Sequence, residues 1–176
     1  MIKRFVEERN ISRLVHFTHV NNLDSILKRG LLSRNAVERL AREEDVKIND
    51  EQRFDKQPEA ICLSISFPNY KMFYSYHKGN QADWVVISLN PQILWKYNCA
   101  FCHTNAASNA CLHIHINERK EVPALQRLFE DFGDIKREDL RIPQSFPTNP
   151  QAEILVFDNI PLDEIDKIYF YNQETM

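Results

Sequence analysis

The sequence predicts an α+β fold, one domain of helices laid on a mixed or antiparallel sheet, and three observations carry that expectation. Short apolar runs alternating with polar residues, as half-buried strands do, are interleaved with segments whose apolar residues recur every three or four positions. The order of these segments contains few strand–helix–strand repeats, which argues against a parallel sheet. A chain of 176 residues, 43% of them hydrophobic, can bury a sizeable core without disulfide staples. It contains no repeat, low-complexity tract or evident linker to divide it.

In chain order, the first strong segment is Leu14-Val15-His16-Phe17-Thr18-His19, an apolar run that delivers two histidines and a threonine to a strand end. A helix follows at once. Asn21 or Asn22 is placed to cap it, because a short side-chain acceptor satisfies the first free backbone N–H groups. Leu23, Ile26 and Leu27 share the buried face at i, i+3, i+4. Gly30 fits a left-handed stop, after which Leu31 and Leu32 re-enter the core. A second helix is expected from Ala36 to about Val46, with Val37 and Leu40 inward and Glu38 paired to Arg42. Residues 45–58 are polar and read as a long loop containing Arg53.

Ala60–Phe67 reads as a strand, stopped by Pro68 and Asn69, which open a helix through Tyr70, Met72, Phe73, Tyr74 and His77 that ends at Gly79. Trp84–Leu89 is a strand, followed by Asn90-Pro91 and a turn of helix to Trp95. Residues 96–120 read as irregular and polar, and a helix is expected from Pro123 to Asp131. Pro143, Pro147 and Pro150 force an extended loop over 141–150. Strands at Ala152–Phe157 and Asp166–Tyr171 close the chain.

The bulk numbers exclude some classes of protein. No run approaches the roughly 18 apolar residues of a membrane helix, and the N-terminus has no signal-peptide apolar region. The expectation is a cytoplasmic protein without a membrane partner, and four cysteines in a chain this size fit a reduced compartment. The net charge of −3 is unevenly spread. Residues 1–42 hold nine Lys and Arg against four acids, a surplus of five, which leaves −8 on the remainder. A local basic surface suits an anionic ligand such as a dinucleotide or a nucleic-acid backbone. Solvated helix faces account for the same charges.

The stretch from Val15 to Leu32 says more than fold. An apolar residue, then His16-Phe17-Thr18-His19, Asn22-Leu23, Ile26-Leu27, Gly30 and Leu31 resembles the N-terminal signature of the DarT family, toxins that transfer ADP-ribose from NAD onto a base of DNA. A second match is Gln151-Ala152-Glu153-Ile154-Leu155-Val156, where the family has its catalytic glutamate at a strand start. A third is Arg53, in the region of a functional arginine. The resemblance runs from about Val15 to about Tyr169, and Ser66–Met72 departs from the family's more aromatic pattern. It implies an ADP-ribosyltransferase-like domain over residues 1–176, built on a split, curved sheet. It implies NAD as co-substrate and single-stranded nucleic acid as acceptor, DNA favoured, with thymine or guanine modified. It further implies a toxin of a toxin–antitoxin or phage-defence system, neutralised by an antitoxin with ADP-ribosyl hydrolase activity.

Breaking the nicotinamide–ribose bond passes through an oxocarbenium-like state, as in glycoside hydrolysis. A carboxylate must therefore sit beside the reacting sugar and the acceptor. Glu153, first in its strand behind a proline-fixed loop, can project into a cleft, and the resemblance gives it the general-base role. Position alone favours a solvent-facing strand acid, since titratable residues are mostly surface features. His16 and Thr18 point to one face of their strand and Phe17 to the other. The resemblance puts this segment on NAD, with His16 reading ribose hydroxyls, and Thr18, Phe17, Asn22 and Leu32 in the same cofactor set; Asn22 serves as well for a helix cap. Arg53, with forked donors and a permanent charge, is by the resemblance the second catalytic candidate: it would neutralise the phosphates or steer developing charge and help take the base proton, and a solvated loop arginine is the bland reading. Tyr70, Phe73 and Tyr74 fall where the family packs a helix on nicotinamide, although their helical spacing also suits plain core.

Cys99-x-x-Cys102-His103, with Cys111, His113 and His115, has some of the spacing of a zinc site. Cys111-x-His113-x-His115 reads equally as strand alternation, and the four-ligand spacing is incomplete. In the same segment His103, Thr104 and Asn105 are candidates to hydrogen-bond a splayed base. Two other functions remain open on sequence grounds: ADP-ribosylation of RNA or protein, and a non-catalytic, zinc-stabilised nucleic-acid-binding module.

Overall fold

Six short segments, apolar on at least one face, build a single antiparallel sheet in a computed structural model that describes residues 1–40, 54–77 and 83–170. The strands are β1 (Leu14–His19), β2 (Ile61–Ile65), β3 (Trp84–Leu89), β4 (Cys99–Cys102), β5 (Glu153–Val156) and β6 (Ile165–Phe170). Their order across the sheet is β4-β5-β2-β1-β3-β6, and every neighbouring pair is antiparallel. Of the mixed or antiparallel alternatives, the second is observed. The helices are α1 (Ile2–Glu8), α2 (Leu23–Arg29), α3 (Arg34–Leu40), α4 (Tyr70–His77), α5 (Ile93–Lys96), α6 (Asn109–Leu112), α7 (Val122–Arg127) and α8 (Arg137–Leu140). None is long and apolar enough to cross a membrane among the described residues.

The sheet is split at its centre. β1 pairs with β3 along its whole length, from Leu14↔Leu89 to His19↔Trp84. With β2 it pairs only at Leu14↔Ile65 and Val15↔Ser64. β2 turns away to pair with β5 through Ile61, Cys62 and Leu63. The right-handed twist of strands makes such splaying inexpensive once the ladder stops. Where the ladder ends, the His16 ring takes its place: Nδ1 donates to the Cys62 carbonyl at 2.9 Å.

A main core of Leu14, Leu63, Ile65, Ile87, Leu89, Ile93, Leu125 and Ile154 fills one face, and a smaller cluster of Ala60, Ala100, Cys102, Ala106, Cys111 and Leu155 lies on the other. Strands buried on both faces lose polar alternation. That is why β4, buried at all four residues, falls inside a segment expected to be irregular. The chain after it, read as strand alternation from Cys111 to His115, is instead α6 and a turn.

Several local expectations change. The α2 face is carried by Ile26, while Leu27 is 52% exposed. Neither asparagine side chain caps the helix. His19 Nδ1 accepts the Asn21 N–H at 3.2 Å, and the Asn22 amide turns inward to donate to Thr18 Oγ1 at 2.9 Å. Gly30 has φ +79° and ψ −170°, outside the left-handed helical region, because Leu31 must bridge Ile160. The second helix starts earlier than expected, at Arg34, whose Nε bonds Glu38 at 2.6 Å. The expected Glu38–Arg42 pair, the end of that helix, most of loop 45–58 and Gly79 lie outside the described residues.

Candidate active site

The splayed strands leave a cavity of about 540 Å³ between them, within the usual range of about 300–1,000 Å³ for ligand pockets. β1 supplies Val15, His16, Phe17 and Thr18 to its wall, and β2 supplies Ile61 to Ser64. Asn22, Ile26 and Gly30 to Leu32 close it from the α2 side, with Arg34 and Val37 of α3. At the far end stand Asn69, Asn105 and Glu153.

Two buried carboxylates, Asp55 and Glu153, line the cavity, and Glu153 sits in a cradle of three donors. It opens β5 directly after the proline-rich loop and is only 6% exposed. Asn105 Nδ2 donates to Oε1 at 3.0 Å, the Ala106 N–H donates to Oε2 at 2.8 Å, and Asn69 Nδ2 approaches Oε1 at 3.4 Å. Burial pushes the carboxyl up to about 7, against the opposing pull of the Ala106 N–H and the Asn69 amide, and the nearby Asp55 adds to the rise. Asn69, 1% exposed, also accepts the Met72 N–H at 3.3 Å, so one side chain caps α4 and holds the carboxylate.

His16 is held by a different logic. A carbonyl only accepts, so the Cys62 bond assigns the proton to Nδ1 and leaves Nε2 an acceptor. Burial outweighs that bond and lowers the ring's pKa, which keeps the imidazole neutral near pH 7.

Of the residues singled out in the sequence, His16, Phe17, Thr18, Asn22, Leu32, Asn105 and Glu153 come together on this cavity. Arg53 lies outside the described residues. Tyr70 and Tyr74 do not reach the wall: four residues apart on α4, they share its outer face and are 54% and 58% exposed. Phe73 packs on Phe17 with ring centroids 4.9 Å apart and on Trp84 at 6.2 Å, behind the wall. α4 and its cap instead present Asn69, Lys71 and Met72 to the cavity. His103 and Thr104 also sit off the wall. His103 leans on Phe132 at 6.0 Å, and Thr104 is buried with its carbonyl facing the Cys111 thiol at 3.8 Å. The Asn105 amide is engaged by Glu153 rather than left free for a base.

Sequence reasoning missed Asn69, Arg34, Lys71 and Gln151 as residues of the cavity wall. The Pro68-Asn69 helix start was visible, but nothing local announces that its amide meets a carboxylate 84 residues away. The cysteine–histidine run is dispersed. Cys99 faces the Ile93 carbonyl in the main core, whereas Cys102 and Cys111 lie in the smaller cluster, with Arg119 Nη1 3.5 Å from the Cys102 sulfur. Among the described residues, no three His, Cys, Asp or Glu side chains are grouped to hold a metal ion.

Glu153 also makes stability pH-dependent. Its folded-state pKa lies above the ordinary 4.5. The folded chain thus holds a proton that the unfolded chain releases, and this stabilises the fold fully below about pH 4.5. The contribution fades as pH rises through 7, by about 3 kcal/mol in all. In urea unfolding between pH 4.5 and 8, Glu153→Gln is expected to lose less stability than the parent over that window. A difference between the two that stays flat with pH would refute the burial of this proton.

The split antiparallel sheet thus holds a ligand-sized cavity in the split, with the cradled Glu153 carboxylate on its wall. Solved structures share the fold. Thermosipho africanus DarTG in complex with ADP-ribose superposes with a TM-score of 0.58 at 20% identity, over 93% of this chain and 45% of that one. Thermus sp. 2.9 DarT in complex with carba-NAD+ gives 0.59 at 18% identity, over 93% of this chain and 84% of that one. The same protein in complex with ADP-ribosylated ssDNA gives 0.57 at 17% identity, over 94% and 84%. This chain thus spans a little under half the length of the Thermosipho protein. No curated protein sequence matches it. The model of the DarT family, described as ssDNA thymidine ADP-ribosyltransferase, matches residues 15–176, and the chain belongs to that family. Thymine is the base that description supports; guanine, the other base expected, is not.

Proposed function

We propose that this chain binds NAD in the β1–β2 split and transfers its ADP-ribosyl group to thymine in single-stranded DNA, with Glu153 as general base. The observation that carries this reading is the Glu153 carboxyl, buried at the cavity end and held by three donors with its pKa near 7. A group so tuned accepts a proton at neutral pH without being saturated by it. Asn105, Ala106 and Asn69 fix the carboxylate's direction, so its orientation is set before the acceptor arrives.

The remaining wall fits an anionic dinucleotide. Nε2 of His16 offers an acceptor to a ribose hydroxyl, and the Asn22–Thr18 bond holds two polar groups rigid beside it. Lys71 at the wall supplies positive charge for a pyrophosphate, and Arg34, also at the wall with its Nε held by Glu38, offers its remaining N–H donors. The family resemblance gives Arg53 the same task, and a share in taking the base proton. Phe17 and Leu32 give the apolar surface on which a flat ring can lie. NAD, when bound, supplies the ADP-ribosyl group and nicotinamide as leaving group.

On this reading the chain acts in the cytoplasm as the toxin of a toxin–antitoxin or phage-defence pair. Its partner is an antitoxin with ADP-ribosyl hydrolase activity, since an unopposed activity would damage the host's own DNA. The likeness to a DarTG protein supports a paired arrangement. The direct test is nicotinamide release from NAD, followed with and without oligonucleotides. Release stimulated by a thymine-containing single strand, and not by the same strand with every thymine replaced, is expected. Release indifferent to DNA would remove DNA from the proposal.

A further inference from the structure

Three arginines on segments around the start of β5 have no side-chain ion pair among the described residues, although the Asp131 carboxylate accepts the Arg137 backbone N–H at 2.9 Å. Arg9 Nη1 and Arg137 Nη2 both donate to the Gln144 carbonyl, each at 3.2 Å. Their guanidinium carbons lie 4.3 Å and 5.6 Å from the centre of the Phe129 ring. Arg13 Nε donates to the Ser66 carbonyl at 3.2 Å. Among the described residues none of these side chains is ion-paired: Glu8 is taken by Arg4, Glu7 by Lys3, and Asp131 by Lys136. Arg9 and Arg137 repel each other across one ring, and carbonyl oxygens do not neutralise them. A guanidinium has five N–H donors, so Arg9, with one protein bond, retains several for an anion.

The same ridge carries aromatic surface. Phe67 and Phe146 are half-buried with ring centroids 4.8 Å apart, on two loops tied by the Ser66 hydroxyl donating to the Ser145 carbonyl at 2.9 Å. Asn69, two residues beyond Phe67, touches Glu153. Arginines and half-buried aromatic rings therefore lie on the segments that lead in sequence and hydrogen bonding to the Glu153 cradle.

We infer that this ridge is the track of the single-stranded DNA, with Arg9, Arg13 and Arg137 on phosphates and the Phe67 and Phe146 rings against bases flanking the modified thymine. The inference rests on the function proposed above and names the surface that delivers its acceptor. It also accounts for a chain of net charge −3 engaging a polyanion, because the charge that matters is local.

The test is binding of a fluorescent thymine-containing single strand to the full chain without NAD, titrated across salt concentrations, beside mass-spectrometric detection of transfer by the parent. Arg9→Gln/Arg13→Gln is expected to flatten the slope of log affinity against log salt by about 1.4, the share of two phosphate contacts. Arg9→Lys/Arg13→Lys, which keeps the charge, should retain the parent slope. Phe146→Leu should weaken binding about tenfold with the slope unchanged. A parent that modifies the strand while the Gln pair keeps its slope and affinity overturns the track and leaves the function standing. A parent that neither binds nor modifies single strands overturns both.

Discussion

Glu153→Gln is expected to lower ADP-ribose transfer by about 100- to 10,000-fold, the range over which a positioned general base acts, while the chain stays folded. The replacement keeps size and shape, and an amide oxygen can still accept the Ala106 N–H that now bonds Oε2 at 2.8 Å. What it removes is the ability to take a proton. Affinity for NAD should change little, so the loss should appear in kcat rather than KM. The pH profile separates this from a structural effect. A carboxyl near 7 makes parent activity climb through neutrality, falling about tenfold for each unit below its pKa, whereas residual activity of the Gln variant should be flat there. Rate measurements on a thymine-containing single strand between pH 5.5 and 8.5 decide it. A Gln variant that keeps parental activity would end the assignment.

Gly30→Ala is expected to destabilise the fold by more than about 3 kcal/mol, enough to threaten a domain of ordinary stability. At φ +79° and ψ −170° the backbone is in a region open essentially to glycine, which costs other residues about 1–3 kcal/mol. A Cβ there would also collide with the Ile160 carbonyl oxygen, which the Leu31 N–H holds at 2.8 Å. That oxygen cannot swing aside without breaking the Leu31–Ile160 bridge. Gly133 is the internal control. It also has positive φ, +58°, but open space where its Cβ would go, so Gly133→Ala should cost only about 1 kcal/mol. Urea midpoints of the two variants and the parent give the comparison, and equal effects would show that the Ile160 contact is not what demands glycine.

What could be read in advance follows from how far each determinant reaches along the chain. Trp84–Leu89 coincides with β3 because local alternation is written in neighbouring residues, whereas His16, Thr18 and Glu153, which fall at the cavity, were singled out by the family resemblance. β4 was lost because Cys99-Ala100-Phe101-Cys102 is buried on both faces and so lacks a period. Leu27 was placed inward by spacing alone, whereas α2 is short and buries only Ile26. Tyr70 and Tyr74 followed from family position, but the start of α4 is oriented by its Asn69 cap, which turns both rings outward. The Glu153 cradle was out of reach for a different reason. Asn69, Asn105 and Ala106 lie between 47 and 84 residues from it in sequence, and only the pairing of β5 between β2 and β4 brings them together.

The most direct measurement is mass spectrometry of a panel of single-stranded DNA, single-stranded RNA and protein substrates after incubation with NAD, the parent chain and Glu153→Gln. Addition of one ADP-ribosyl unit to thymine-containing DNA by the parent, absent with the variant and located on the base by fragmentation, is the expected result. Modification of RNA or protein but not of DNA, or equal modification by both chains, would contradict it.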